Sequence, residues 1–463
     1  MATPLYSTVC RKSRLRQTVG KTKARAPCSR PSAPTPVGAG LLGSVKVQWR
    51  VLVDHRDFRR LFGGNSISLL GSSVTTVALP LTAVLVLGAS PVQMGLLGAF
   101  SFLPHLVLGL PAGVWVDRLS YRRVLVGADL LAAVSLTAVP VLAATGLLQM
   151  WQLYVVVVIT GTCGLFSAIA AQSFAPVLVP RHELLAANSA FALSNSVVAT
   201  SGSALGGVLV QLLTAPVAIA VDAASFLVSA IAKARITVAG RSTAANPSRE
   251  SMVKGIWGGM RAALEHPALR ATTIAATVGA LAGRMQVVIV VLFLVRDLGL
   301  SAGLVGLVIA VAGVAGIVGA AVGVQITGRL GNGPAFIAGM TLSSLAGLVM
   351  AAAGGPAVLV LAVVIIAQLL RGWGPTLYGI NQQTIRQILI APELLARTQA
   401  TWRFLVFGMQ PIGALLGGAL GALVGFRATL VISSLVMTSG TVFALLSPLR
   451  TLRELPGAEI STH

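Results

Sequence analysis

The chain has 463 residues, of which 55% are hydrophobic and only 10% charged, and its mean hydropathy is +0.87. Soluble globular domains are about a quarter charged, so this composition excludes a soluble enzyme or binding domain and indicates a polytopic membrane protein. The formal net charge of +22 does not indicate nucleic-acid binding, because most basic residues lie in one terminal segment and in short loops between apolar runs. The three cysteines, Cys10, Cys28 and Cys163, show no spacing typical of disulfides or a metal site.

The first predicted element is a disordered basic tail at residues 1–51. Residues 1–50 contain no acid and are rich in Arg, Lys, Ser, Thr and Pro, a composition that cannot bury a core. An upstream-extended start or an organelle transit peptide, which is also Arg- and Ser-rich, is the alternative. We expect residues 1–48 to be dispensable for folding. Residues 52–60 are predicted to form a short amphipathic lead-in at the membrane surface.

Twelve apolar runs follow, and each is long enough to cross a bilayer as a helix, which takes about 20 residues. The first six are predicted at 61–88, 91–116, 123–146, 150–178, 187–212 and 215–234. The second six are predicted at 268–296, 301–327, 333–353, 356–380, 395–423 and 426–447. The sequence thus predicts an all-α membrane protein with two six-helix bundles, at 52–234 and 268–447, a cytoplasmic linker at 235–267 and a cytoplasmic tail at 448–463.

The basic residues of the loops alternate between the two sides of the predicted membrane. The loops that follow the even-numbered spans carry Arg118, Arg122, Arg123, Arg181, Arg329, Arg386 and Arg397. The opposite loops carry only Arg296 and Arg427. Because Lys and Arg are retained on the cytoplasmic side, both termini are predicted to be cytoplasmic.

An internal repeat supports the same two-bundle architecture. Arg329 follows Arg118 at the same distance along the chain as Gly417-Gly418 follow Gly206-Gly207. Matching residues that recur at one constant spacing and in the same order are typical of two six-helix halves related by a parallel repeat.

A short charged loop between the second and third spans has the most distinctive pattern. It carries Gly113, Asp117, Arg118, Arg122 and Arg123. Glycine permits close helix approach, and an aspartate can accept hydrogen bonds at a neighbouring helix N-terminus. We expect this loop to act as a cytoplasmic gate, with ordinary flanking charge as the alternative.

This loop resembles the signature of the major facilitator superfamily, in which Gly-x-x-x-Asp-Arg is followed by a glycine and two arginines. Ser120 stands at the position where that family usually has Gly. The resemblance implies a transporter with a central cavity between two helical bundles. It covers roughly residues 52–455 of the chain.

Two further stretches resemble particular branches of that superfamily. The run with Gly202, Gly206 and Gly207 resembles the fifth-helix motif of proton-coupled antiporters, with Ser203 in place of proline, and this resemblance implies export. Generic tight packing of small residues is the alternative. The run 221–226 resembles a sixth-helix signature of the enterobactin-exporter and macrolide-efflux branch. The first span lacks the acid and the fourth span lacks the Arg that proton-coupled drug antiporters often carry.

Two acids, Asp129 and Asp222, fall inside predicted spans, where charges are costly. Asp129 lies near the cytoplasmic end of its span, and we expect it to pair with a basic loop residue. Asp222 lies deeper and either binds a coupling proton or is hydrogen-bonded to neighbouring helices in a structural role. His105 could also exchange protons near neutral pH, a satisfied core histidine being the alternative. These three residues are the proton-coupling candidates.

Other polar residues inside the spans are candidates for the lining of a central cavity. A lone arginine facing lipid is costly, so each intramembrane arginine should face a cavity or a partner. The candidate cavity residues are Asn65, Arg284, Gln286, Arg371, Trp373 and Arg403.

These observations predict a secondary active transporter that exports a small, largely apolar compound, such as a drug or a siderophore, by alternating access with proton antiport. A nutrient importer on the same fold is one alternative, and a lipid-modifying enzyme or a scaffold is another. The sequence has no Gly-rich phosphate loop or catalytic constellation, so we do not expect an enzyme. We expect a plasma-membrane monomer whose partners are its substrate, the lipid bilayer and protons, without nucleic acid, cofactor or metal.

Overall fold

A computed structural model describes residues 51–109, 111–180, 183–238, 265–390 and 392–452. Nearly all of the predicted N-terminal tail, most of the predicted central linker and the end of the C-terminal tail lie outside the described residues. The side chains of Asp117 and of residues 391–401 lie outside them as well.

Long helices make up most of the described chain. In chain order the principal ones are α1 (Arg56–Leu85), α2 (Pro91–Leu108), α3 (Pro111–Arg118), α4 (Tyr121–Ala144), α5 (Met150–Leu178), α6 (Leu184–Leu212), α7 (Ala215–Ala234), α8 (Pro267–Leu292), α9 (Ala302–Leu330), α10 (Asn332–Ala351), α11 (Ala357–Leu389), α12 (Pro392–Leu423) and α13 (Phe426–Leu445). A π-helical turn, Phe293–Asp297, extends α8, and a 3₁₀ turn, Pro448–Thr451, follows α13.

The helix lengths confirm the predicted fold class. Within the described ranges, eleven helical stretches are long and apolar enough to cross a membrane, and α6 adds a further helix of 29 residues. Each of the twelve predicted spans therefore contains a helix of at least 18 residues, close to the length that crosses a bilayer.

The prediction of one continuous second helix over 91–116 is wrong. In the described structure this run is assigned to two helices, α2, which ends at Leu108, and α3, which begins at Pro111. Pro111 is the first residue of α3, a position where the missing N–H of proline costs the helix no hydrogen bond. The charged loop pattern consequently lies on a separate helix of 8 residues.

The predicted surface lead-in at 52–60 is instead part of the folded bundle. Phe58 is fully buried, and its ring packs edge-on against Phe191 of α6 with 5.6 Å between the ring centroids. The segment after α13 is also packed: Leu449 is fully buried, and the carbonyl of Leu452 accepts a hydrogen bond from the amide of Gly333. In both places an apolar side chain within a polar stretch anchors the segment to neighbouring helices.

Helix α11 runs nine residues past the predicted end at 380. Its polar continuation is stabilised by specific hydrogen bonds, from Asn381 Nδ2 to Thr327 Oγ1 at 3.0 Å and from Gln382 Nε2 to the carbonyl of Thr272 at 3.3 Å. Polarity alone suggested a loop here, whereas burial against α8 and α9 keeps the residues helical. The extension brings Arg386 into the helical bundle.

The helices pack as two halves that meet along two seams. In the first half α1 and α4 both pack against α7, and in the second half α8 packs against α12 and α13. Across the halves, α2 packs against α12 and α6 packs against α9. These two seams define where the halves are in contact and leave space between them elsewhere.

Candidate functional site: a central cavity between the two halves

The seams close the end of the bundle that is predicted to face outside. Gly207 of α6 lies so near α9 that a methyl group at this position would sit 2.1 Å from the carbonyl oxygen of Gly306. A methyl group at Gly95 of α2 would sit 2.8 Å from the carbonyl oxygen of Ala414 in α12. Only glycine permits such approach of the two backbones, so both seams depend on it.

Arg296 adds a polar contact at the same closed end. Its Nη2 donates hydrogen bonds to the carbonyl oxygens of Gly88 at 2.8 Å and of Ala89 at 2.7 Å. Because Arg296 follows α8 and these carbonyls precede α2, the contact joins the second half to the first.

A cavity of about 1010 Å³ lies between the halves, from the middle of the bundle toward the predicted cytoplasmic end. Helices α2, α5, α8, α10, α11, α12 and α13 contribute to its wall. Its polar and aromatic lining consists of His105, Gln172, Arg284, Gln286, Ser343, Arg371, Thr376, Tyr378, Gln382, Gln383, Arg386, Trp402, Arg403, Phe407 and Gln410. The volume is sufficient for a drug-sized molecule.

Two of the lining arginines lie over aromatic rings. The guanidinium carbon of Arg284 is 4.5 Å from the ring centre of Phe102 on α2, so this contact crosses between the halves. The guanidinium carbon of Arg386 is 3.9 Å from the ring centre of Trp402 on α12. Cation–π contacts at this separation hold each guanidinium in position without neutralising its charge.

The structure places four of the six predicted cavity residues on this cavity: Arg284, Gln286, Arg371 and Arg403. The prediction is wrong for Asn65 and Trp373, which are not among the residues that line it. Trp373 is two residues from Arg371, about 200° around the helix, and lies against Gly319 of α9.

His105 also lines the cavity, and Arg386 is a cavity residue that the sequence analysis assigned to a loop. The spacing along α11 could have revealed it, since Arg371, Pro375, Gln382 and Arg386 recur at intervals that place them on one helix face.

Asp129 pairs with a helix residue and not with a loop residue, so the predicted partner is wrong. Its Oδ2 accepts hydrogen bonds from Lys233 Nζ at 2.8 Å and from Ser229 Oγ at 2.7 Å, both on α7. The side chains of Asp129 and Lys233 are 1% and 0% exposed. Because α4 packs along α7, the start of one helix meets the end of the other, and the loop bases point elsewhere.

Asp222 is fully buried between α7 and α1 and is not a cavity-lining residue. Its two oxygens accept hydrogen bonds from Thr75 Oγ1 at 2.5 Å and from Ser225 Oγ at 3.2 Å. A methyl group at Gly71 would clash with the same carboxylate, so the close approach of α1 to Asp222 requires a glycine at this position. The carboxyl group is therefore placed where a change of charge acts directly on the α1–α7 contact.

The arginines of the charged loop are at least partly exposed in this structure. Arg118 and Arg123 are exposed and Arg122 is half-buried. The predicted close helix contact at Gly113 is not made in this conformation, because within the described structure no atom of another helix lies within 4 Å of the position that a methyl group would take. The opposite end of the bundle carries the close contacts instead.

The three glycines of the antiporter-like motif face two different neighbours. Gly202 and Gly206 approach Ser73 and Val74 of α1 in the same half, whereas Gly207 approaches Gly306 of the other half. One stripe of small residues thus joins α6 both to its own bundle and to the opposite one.

Two helical halves that enclose a central cavity are the architecture of alternating-access membrane transporters. Residues 61–388 match the Major Facilitator Superfamily, and the chain belongs to this family of multi-pass membrane proteins. The helices and the relatives described below place it in the plasma membrane.

The chain is similar to efflux proteins in sequence. It is 28% identical to the multidrug efflux pump Tap of Mycolicibacterium fortuitum over 398 residues, which cover 83% of this chain and 93% of that protein. It is also 28% identical to macrolide efflux protein A of Streptococcus pyogenes over 127 residues, which cover 27% of this chain and 31% of that protein. The chain thus spans about a third of the latter protein's length.

Solved transporters share the fold. A bacterial homolog of the human lysosomal transporter Spinster, in an inward-facing and unoccupied conformation, superposes with a TM-score of 0.64 at 14% identity, covering 88% of this chain and 98% of that one. A bacterial homologue of the iron transporter ferroportin, in an inward-facing state, superposes with a TM-score of 0.62 at 16% identity, covering 84% and 98%.

Proposed function

We propose that the protein is a secondary active transporter that exports a small organic molecule from the cytoplasm by alternating access. The observation that carries this proposal is the cavity between the halves, which is closed at the predicted outer end by the Gly207–Gly306 and Gly95–Ala414 contacts. Exchange of this state with one closed at the other end would carry a bound molecule across the membrane. The similarity to two efflux proteins supports the outward direction.

The direct test is transport by the full chain in inside-out vesicles. A panel of labelled drug-like compounds is offered with and without an imposed pH gradient. Accumulation inside these vesicles corresponds to export from the cell, and we expect it for at least one compound and only with the gradient. Uptake by right-side-out vesicles in its place would favour the importer.

The proton-coupling proposal assigns the proton to Asp222. Replacing Asp222 with Asn removes the titratable group but keeps an oxygen that can accept from Thr75. We expect Asp222→Asn to abolish gradient-driven accumulation and to preserve substrate exchange, because exchange needs no net proton movement. Gradient-driven accumulation and counterflow exchange are both measured in the same vesicle preparation, and the two activities are compared.

Asp297→Asn is the matched control, since Asp297 is an exposed carboxylate at the end of the π-helical turn. It should retain both activities. If Asp222→Asn still concentrates the compound when pH is the only driving force, Asp222 is structural and coupling lies in His105, in Asp129 or in the substrate.

The gate proposal assigns the Asp117–Arg118 pair to a latch that forms when the cytoplasmic end is closed. We expect Asp117→Asn or Arg118→Ala to slow transport roughly tenfold, because a lost hydrogen bond to a charged group is worth about 1.5 kcal/mol. Membrane insertion should be unchanged, as measured by the yield of folded protein. Arg270→Ala, an exposed base at the start of α8, is the control, and unaltered rates in both gate variants would disprove the latch.

A further inference from the structure

The cavity concentrates positive charge. Arg284, Arg371, Arg386 and Arg403 line it, and the lining residues that the structure describes include no aspartate or glutamate. In the described ranges, the ion pairs involve other residues: His55 with Glu183, Arg60 with Asp57 and Lys233 with Asp129. Like charges repel strongly in a medium of low dielectric constant, so this arrangement is stabilised by a negatively charged occupant.

Several hydrogen-bond donors of the same lining residues lack partners. Within the described structure, Arg284 Nε, Arg386 Nε and Nη1 and Trp402 Nε1 are buried and make no hydrogen bond. All of these groups donate and cannot accept. Because an unsatisfied buried donor is costly, a ligand rich in acceptor oxygens would gain from small rotations of these side chains.

The four arginines that line the cavity all belong to the second half of the protein. Arg284 is on α8, Arg371 and Arg386 are on α11, and Arg403 is on α12. The first half contributes mainly apolar side chains of α5, among them Leu165 and Ile169, together with the uncharged amide of Gln172 on α5 and with His105 on α2. A bound molecule would therefore meet four arginines on one side and a largely apolar wall on the other.

We propose that the transported molecule is an amphipathic organic anion, whose carboxylate, phosphate or sulfonate group binds to the arginines and whose apolar body lies against α5. This proposal rests on the proposed transport function and replaces the expectation of a largely apolar substrate. Arginine suits the role because its planar guanidinium forms paired hydrogen bonds with such oxygens. The ring beneath Arg284 leaves its edges available for that pairing.

The test is equilibrium binding of three matched probes to the full chain in phosphatidylcholine nanodiscs, with empty nanodiscs subtracted. The probes are naphthalene-2-carboxylate, the neutral naphthalene-2-carboxamide and the cationic 2-naphthylmethylammonium. We expect the carboxylate to have a Kd at least about tenfold lower than the others, as a charge-assisted hydrogen bond provides. Equal binding of the three probes, tighter binding of the cation or no binding of the carboxylate would overturn the proposal.

Variants test whether the preference for the carboxylate over the carboxamide arises from the cavity arginines. The double variant Arg284→Gln/Arg371→Gln should narrow the difference between the Kd values for the carboxylate and the carboxamide, because it removes two of the four cavity arginines. Its unchanged Kd for the carboxamide would show that the fold is intact. Arg329→Gln, an exposed arginine outside the cavity, should keep the wild-type preference. A preference of unchanged size in the double variant would also overturn the proposal.

A second arm identifies the source of the anion. Phosphatidylglycerol is added to the nanodiscs; if it raises the carboxylate Kd of the wild type but not of the double variant, an anionic lipid headgroup occupies the site. An unchanged Kd assigns the site to a soluble anion, and both results support anion binding. Binding does not require transport. A protein that binds the carboxylate but transports no compound would therefore disprove the export proposal and leave the anion-binding proposal intact.

Discussion

Replacing Lys233 with methionine is expected to lower the free energy of unfolding by about 3–5 kcal/mol, the usual cost of breaking a buried ion pair by removing one partner. Lys233 and Asp129 are within 2.8 Å of each other and both are almost completely buried between α7 and α4. Without the lysine, Asp129 keeps only the hydrogen bond from Ser229, and one of its oxygens already lacks a partner in the described structure. The measurement is thermal or denaturant unfolding of the purified chain in detergent.

The double variant Asp129→Asn/Lys233→Met separates charge from packing. It removes both charges together, so most of the lost stability should return. Arg59→Met, which deletes an exposed base at the same end of the bundle, should leave the unfolding midpoint unchanged. Equal destabilisation by the single and double variants would show that the pair acts through shape and not through charge.

The number and position of the membrane helices could be predicted because apolar length is a local property of the sequence. The same holds for the arginines: an arginine within an apolar run must face a cavity or a partner, and Arg284, Arg371 and Arg403 do so. Trp373 was placed on the wrong face because an aromatic side chain is stable at many depths and carries no such constraint.

The pairing of Asp129 with Lys233 could not be predicted, because it depends on which helices pack together. The two residues lie on different helices of one half, and nearer bases such as Arg122 and Arg123 offered a local alternative. The state of the charged loop was unpredictable for a related reason. A transporter sequence specifies more than one conformation, and Gly113 has no close neighbour in the conformation seen.

Two adjacent glycines of α6 show in the same way that the sequence does not specify which helix a residue contacts. The run of small residues around Gly202 predicted close packing, but its sequence does not say that Gly206 faces α1 while Gly207 faces α9. Consecutive residues of a helix point about 100° apart, so neighbours in sequence contact different elements. This difference gives position 207 a role that position 206 cannot have, because only position 207 lies between the two halves.

Replacing Gly207 with valine should therefore prevent closure of the outer end and abolish transport. A methyl group at position 207 would already sit 2.1 Å from the Gly306 carbonyl oxygen, and backbone atoms cannot yield as a flexible side chain can. The variant would be held away from the conformation described here, in which Gly207 and Gly306 touch. Alternating access needs both conformations, so a protein restricted to one of them cannot complete a transport cycle.

Spin labels measure this effect without a known substrate. Cysteines at Val86 and Leu423, which are exposed at the predicted outer ends of the two halves, carry the labels after replacement of the three native cysteines. Gly207→Val should lengthen the distance between the labels relative to the parent protein. Gly164→Val introduces the same side chain on α5, where no group of the described residues lies within 4 Å, and should change neither distance nor transport. An unchanged distance together with normal transport in Gly207→Val would show that α6 and α9 need not touch at this position.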